Sequence, residues 1–162
     1  IPVTCFSQAL TTFIGQNLGA KEYDRTKKGA LFGTICGIGI AEVIGIAVFF
    51  FSPYLIAAFG GDQKAIEYGI AEAHTIALFY CLLAFSHCMA AIQRGAGRSI
   101  VPMFVMMLVW CGVRVTYISI VIRIIPVINV IYWAYPLTWF ISSVIFLILF
   151  LKTDWIHGLE KQ

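Results

Sequence analysis

Gly15-Gln16-Asn17-Leu18-Gly19-Ala20-Lys21-Glu22-Tyr23-Asp24-Arg25-Thr26-Lys27-Lys28-Gly29 decides the reading of this chain. It is the densest polar run in a sequence that is 60% hydrophobic. Lys21, Arg25, Lys27 and Lys28 fall close together in it, and long apolar runs lie on either side. Short Lys/Arg-rich loops between apolar spans resist translocation, so this loop is read as cytoplasmic. Its side of the membrane then fixes the direction of every later helix.

The totals agree. The 162 residues have a mean hydropathy of +0.91 and only 12% charged side chains, against about 25% in a typical soluble domain. With apolar runs of about 20 residues, this predicts an all-α integral membrane protein. The net charge of +3 comes mainly from basic loops, so it speaks of topology and not of a nucleic-acid partner. Cys5, Cys36, Cys81, Cys88 and Cys111 fall in apolar runs without a CxxC pair. They read as small buried hydrophobes, not as metal ligands or disulfides. The chain opens at Ile1 inside an apolar segment, which reads as part of a longer protein.

Five spans are predicted. The first, about 2–18, carries Thr4, Ser7, Gln8, Thr11, Thr12 and Gln16, which suit helix contacts or a wet cavity. In the second, about 26–51, Gly29, Gly33, Gly37, Ala41 and Gly45 recur every four residues on one slowly drifting face. Such a ladder lets a neighbouring backbone approach closely. Glu42 lies near the middle of this span, about 60° around the helix from Gly45, and Pro53 is expected to end it. Asp62 is placed as the N-cap of the third span, with Glu67 and Glu72 in its first turns, and its apolar part runs from about 73 to 92. His74 and His87 belong to it, 13 residues apart, which is not metal-ligand spacing.

The second polar loop, Gln93-Arg94-Gly95-Ala96-Gly97-Arg98-Ser99, lacks the preceding strand and GxxxxGK[ST] pattern of a phosphate loop and reads as a tight turn. Pro102 suits the first turn of the fourth span, about 100–125, which holds Arg114 near its midpoint with Trp110 one turn before. Pro126 breaks it. The fifth span, about 127–151, begins with Tyr132, Trp133, Tyr135 and Trp139, an expected interfacial cluster, and should bend at Pro136. The membrane domain is thus 1–151, followed by a polar tail, 152–162. With the first loop inside, Lys21, Arg25, Lys27, Lys28, Arg94, Arg98, Lys152 and Lys161 are cytoplasmic, and Lys64 and Arg123 alone face outside. That bias predicts a multi-pass protein of the cell membrane with a cytoplasmic C-terminus.

Gln16-Asn17-Leu18-Gly19-Ala20 followed by Arg25, Arg94-Gly95-Ala96-Gly97 with Pro102, and Trp110 with Arg114 resemble the C-terminal half of multidrug and toxic compound extrusion (MATE) transporters. The resemblance covers nearly the whole chain in order and spacing. It implies a twelve-helix, two-lobe fold, of which this chain would supply the end of helix eight and helices nine to twelve of the C-terminal six-helix lobe. It further implies antiport: export of cationic, amphipathic compounds, multidrug efflux substrates, in exchange for H⁺ or Na⁺ and without a cofactor or metal. The expected partners are a small-molecule substrate, the N-terminal lobe of the same protein and the lipid bilayer. Some branches carry an acidic residue in helix ten where this sequence has Leu83, which leaves that mode of ion coupling in doubt.

A lipid-linked saccharide flippase of the same superfamily is the neighbouring alternative. A cavity for large anionic substrates should be more cationic than one holding both Glu42 and Arg114. A membrane-embedded enzyme would need clustered His, Asp or Glu, whereas His74, His87, Asp62 and Glu67 are scattered, so no catalytic residues are assigned. Glu42 and Arg114 are the candidate substrate or ion pathway residues and are expected to neutralise each other inside the lobe.

Overall fold

The computed structural model describes residues 1–156, so the last tail residues, Lys161 among them, lie outside the described part. The described residues form helices and no strands. They are α1 (Pro2–Gly19), α2 (Tyr23–Ala58), α3 (Gln63–Ala77), α4 (Tyr80–Gly95), α5 (Ile100–Ile124) and α6 (Asn129–Lys152). α2, α5 and α6 are each long and apolar enough to cross a membrane, and α3 with α4 makes a fourth, broken span bent by 58°. α1, 18 residues long, completes a bundle of five rods.

The polar side chains of α1 turn back on their own helix. Ser7 donates to Thr4 O (2.8 Å), Thr11 to Ser7 O (3.0 Å) and Asn17 Nδ2 to Phe13 O (2.7 Å). This satisfies them within one apolar segment.

α2 does not stop at Pro53. It runs 36 residues to Ala58. Pro53 removes the amide that Phe49 O would have accepted, and the Ser52 hydroxyl donates to that carbonyl instead, at 3.4 Å. A neighbouring serine is one of the devices that let a membrane helix carry proline.

The third span is not one helix. α3 ends at Ala77 and α4 begins at Tyr80, with tight i→i+3 bonds from Phe79 N to Ile76 O and from Leu82 N to Phe79 O, both 3.0 Å. The break contains neither Gly nor Pro. The backbone of α2 presses on it at Gly45, where a Cβ would run into Ala77 O. Asp62 holds the N-cap position with extended backbone, but its side chain makes no cap bond.

Both basic loops close their helices in one way. Glu22 N bonds Asn17 O and Lys21 N bonds Leu18 O; Arg98 N bonds Gln93 O and Gly97 N bonds Arg94 O. These paired bonds are a Schellman motif with a left-handed residue at its corner. Gly97 fills that corner at φ 77° and Lys21 at φ 58°, the latter at a steric cost of about 1–2 kcal/mol for a residue with a Cβ.

The basic segments gather at one end of the bundle. Gly95 abuts Thr11 and Ile14 of α1, Arg98 Nη2 donates to Asp154 O at 3.1 Å, and Lys27 shares a groove with Trp155. Residues 153–156, the described part of the segment after α6, pack back on the bundle. Trp155 and Ile156 are buried in the core with Leu10, Ile14, Ala30, Met89 and Ile92, because two large apolar side chains gain more from burial than the short polar linker loses.

Candidate functional site

The middle of α4 divides two kinds of packing. Toward α1 and α2 the contacts are dry and close. Gly33 lies against Leu10, Gly37 against Cys88 and Phe6, and Gly29 against Phe13, while Ala41 is fully buried. These ladder positions lie where a neighbouring helix has no room for a larger side chain.

Toward α5 and α6 the packing is polar. The Ser86 hydroxyl of α4 lies 2.8 Å from Ser142 Oγ and 3.0 Å from Ser143 Oγ of α6. Ser143 donates to Leu82 O (3.1 Å), and Trp110 Nε1 of α5 donates to Ser142 Oγ (3.2 Å). His87 sits edge-to-face with the Trp110 ring at 5.5 Å. Low dielectric strengthens such a fully connected network.

Arg114 belongs to the same side. Its Nη2 donates to Thr138 Oγ1 at 2.8 Å, and its guanidinium stacks on the Tyr135 ring at 4.3 Å, with the Trp110 ring at 6.0 Å. Its Nε is buried without a hydrogen-bond partner. Arg114 directly follows a π-helical stretch, Met107–Val113, and single turns of π-helix often mark functional places in membrane helices. No local sequence signal marked that stretch.

Glu42 lies elsewhere. It is half-buried on α2, close enough for its charge to act on the Cys81 thiol of α4, and its Oε2 is buried without a partner. Among the described residues no direct ion pair joins it to Arg114. The reason is placement: α2 packs on α1, α3 and α4, whereas α5 packs on α4 and α6. α4 stands between the two charges, and each is left with its own surroundings.

A cavity of about 320 Å³ opens in the interior. Tyr80, Leu83 and His87 of α4 line it, with Tyr135 and Trp139 of α6 and Ala41, Ile44 and Val48 of α2. Tyr135, on which Arg114 stacks, is therefore also a cavity wall, and Leu83 faces the cavity where some MATE branches carry an acid. Within the aromatic cluster Tyr132 and Trp139 are buried, Tyr135 is half-buried and Trp133 is exposed. Cys88 is buried, but Cys5 and Cys111 are exposed, so the cysteines are not uniformly interior. Gln16 and Arg25 are exposed, Gly19 ends α1, Arg94 is half-buried and Pro102 is buried in the first turn of α5.

The sequence reading overlooked Ser86, Thr138, Ser142 and Ser143. The adjacent Ser142-Ser143 pair inside an otherwise apolar span was the available signal, since paired hydroxyls at membrane depth need partners.

Broken and proline-bearing apolar helices thus pack around a cavity with aromatic walls, a combination common in membrane transporters. The MatE family model matches residues 1–125, and the chain belongs to that family. A curated relative, the probable multidrug resistance protein NorM of Thermotoga maritima, is 29% identical over 105 residues, covering 65% of this chain and 23% of NorM. A solved structure described as the inward-facing conformation of a multidrug resistance MATE family transporter of the MOP superfamily superposes with a TM-score of 0.82 at 20% identity. It covers 94% of this chain and 34% of that one. At that identity the likeness speaks for the fold. The chain therefore spans about a quarter to a third of the length of these relatives.

Proposed function

We propose that this chain is part of the C-terminal lobe of a secondary active efflux transporter. It exports cationic or amphipathic small molecules across the cell membrane in exchange for H⁺ or Na⁺, and it carries out no chemical conversion. The basic end of the bundle faces the cytoplasm, and an N-terminal lobe completes the substrate path. The multidrug-resistance names of the relatives and the aromatic cavity walls support this reading, since rings of Tyr and Trp suit organic cations.

The observation that carries it is Glu42. A carboxylate at mid-span costs about 3 kcal/mol on insertion scales, yet its Oε2 has no partner within the bundle. A carboxylate oxygen left without a partner is free to bind a coupling ion that reaches it. Arg114 stabilises no carboxylate here and serves on the cavity side, where it holds the Tyr135 wall.

Efflux measured in proteoliposomes of the full-length protein tests this. Glu42→Gln should fold normally yet lose the pH or Na⁺ dependence of transport. Unchanged ion dependence would make Glu42 a structural residue and move the coupling to other carboxylates of the transporter.

A further inference from the structure

A second concavity lies outside the transport path. It is a groove of about 500 Å³ at the basic end, between α2, α4, α6 and the segment that follows α6. Ala30, Met89, Ile92 and Trp155 form its buried floor, and the strongly exposed Leu31 and Leu151 form its rim. An apolar groove with an apolar exposed rim, on a helix pair that crosses the membrane, opens to lipid and not to water. Among the described residues Lys27 is the one charged residue in its lining, and it stands at the polar end of α2.

We propose that this groove seats one acyl chain of an anionic phospholipid, with Lys27 holding the headgroup phosphate. The division of chemistry is that of the ligand: an apolar trough for the chain, and a single cation where the chain meets the headgroup. An ammonium is a compact point charge well suited to a phosphate oxygen. The neighbouring exposed cations Lys28 and Lys152 add an attractive field. On the topology proposed above, the groove lies in the cytoplasmic leaflet, which carries the anionic lipids. The seated lipid would bridge α2 to α6, two helices that both pack on α4 rather than on each other, and so fasten the edge of the lobe.

Trp155 provides the probe. The full-length transporter is placed in phosphatidylcholine bilayers containing equal mole fractions of either phosphatidylglycerol or phosphatidylcholine with brominated chains. The Trp155 contribution is taken as the emission lost in Trp155→Phe. Brominated phosphatidylglycerol should quench it about fivefold more effectively, as expected for one lysine at an anionic surface. Lys27→Gln should remove the preference, while Lys27→Arg and Lys28→Gln keep it. Equal quenching by both lipids would overturn the proposal in favour of unspecific boundary lipid. Absence of quenching would mean that protein covers the groove, and loss of preference in Lys28→Gln would reduce it to diffuse surface charge. Native mass spectrometry of lipid retained by the wild type and Lys27→Gln reads the same preference without the Trp155 variant. Equal retention of both lipids by the wild type there would sink the idea on its own.

Discussion

The two sides of α4 are held together by different physics. On the side of α1 and α2, glycines and alanines bring backbones close around the apolar core of Leu10, Ile14, Ala90, Ala91 and Ile92, and the Thr34 hydroxyl is bonded within its own helix to Ala30 O. On the side of α5 and α6, hydroxyls, an indole and a guanidinium bond across helices. Lipid tails are as apolar as leucine, so neither side can rely on hydrophobic exclusion alone. One gains from close van der Waals contact, the other from hydrogen bonds that lipid cannot offer. Close contact tolerates no added volume, while a bonded network tolerates some loss of partners.

The comparison breaks most easily on the dry side. Gly45→Ala puts a methyl group against the Ala77 carbonyl, backbone against backbone, and should destabilise the protein by about 3 kcal/mol, the upper range for overpacking. Thermal unfolding in detergent reads this, and an unchanged midpoint would mean that α2 and the α3–α4 break are not in contact. Gly37→Ala meets only the Cys88 sulfur and the Phe6 ring, which can shift. About 1 kcal/mol is expected there, and the ranking of the two variants distinguishes backbone from side-chain obstruction.

The polar side should yield less. Ser86→Ala removes two hydroxyl contacts, but Ser142 still donates to Trp139 O (3.0 Å) and Ser143 to Leu82 O. A loss of about 0.6–1 kcal/mol is expected, in line with hydrogen bonds between membrane helices. A loss as large as that of Gly45→Ala would show that the network is as rigid as the ladder. Arg114→Met should change the unfolding midpoint least. Thr138 keeps its bond to Ala134 O (2.9 Å), so no orphan is left, and an uncompensated charge leaves the interior. Transport in the same variant should fall at least tenfold if the guanidinium holds the cavity wall. Full activity would reduce Arg114 to a tolerated passenger.

A small effect on one loop sharpens the picture of the basic end. Lys21→Gly relieves the left-handed corner that Gly97 already fills in the other loop, and should stabilise the fold by up to about 1 kcal/mol. No gain in the unfolding midpoint would show that Lys21 makes a compensating contact.

The all-helical membrane character, the limits of the first and fourth spans and the gathering of basic loops were written in composition and periodicity. Apolar run length is set by membrane thickness, and a ladder of small residues at a period of four has few other uses. Residues 2–19 and 100–124 fell within a residue or so of the predicted spans. Pro53 misled because proline reads as a stop until a neighbouring hydroxyl is seen to fill the missing bond. The α3–α4 break had no local signal at all, since it comes from the Gly45 backbone 32 residues upstream. The same holds for the two charges. Depth in the membrane is a property of each span, so Glu42 and Arg114 could be singled out one helix at a time. Whether they meet depends on which helix stands between them, and only the tertiary packing placed α4 there.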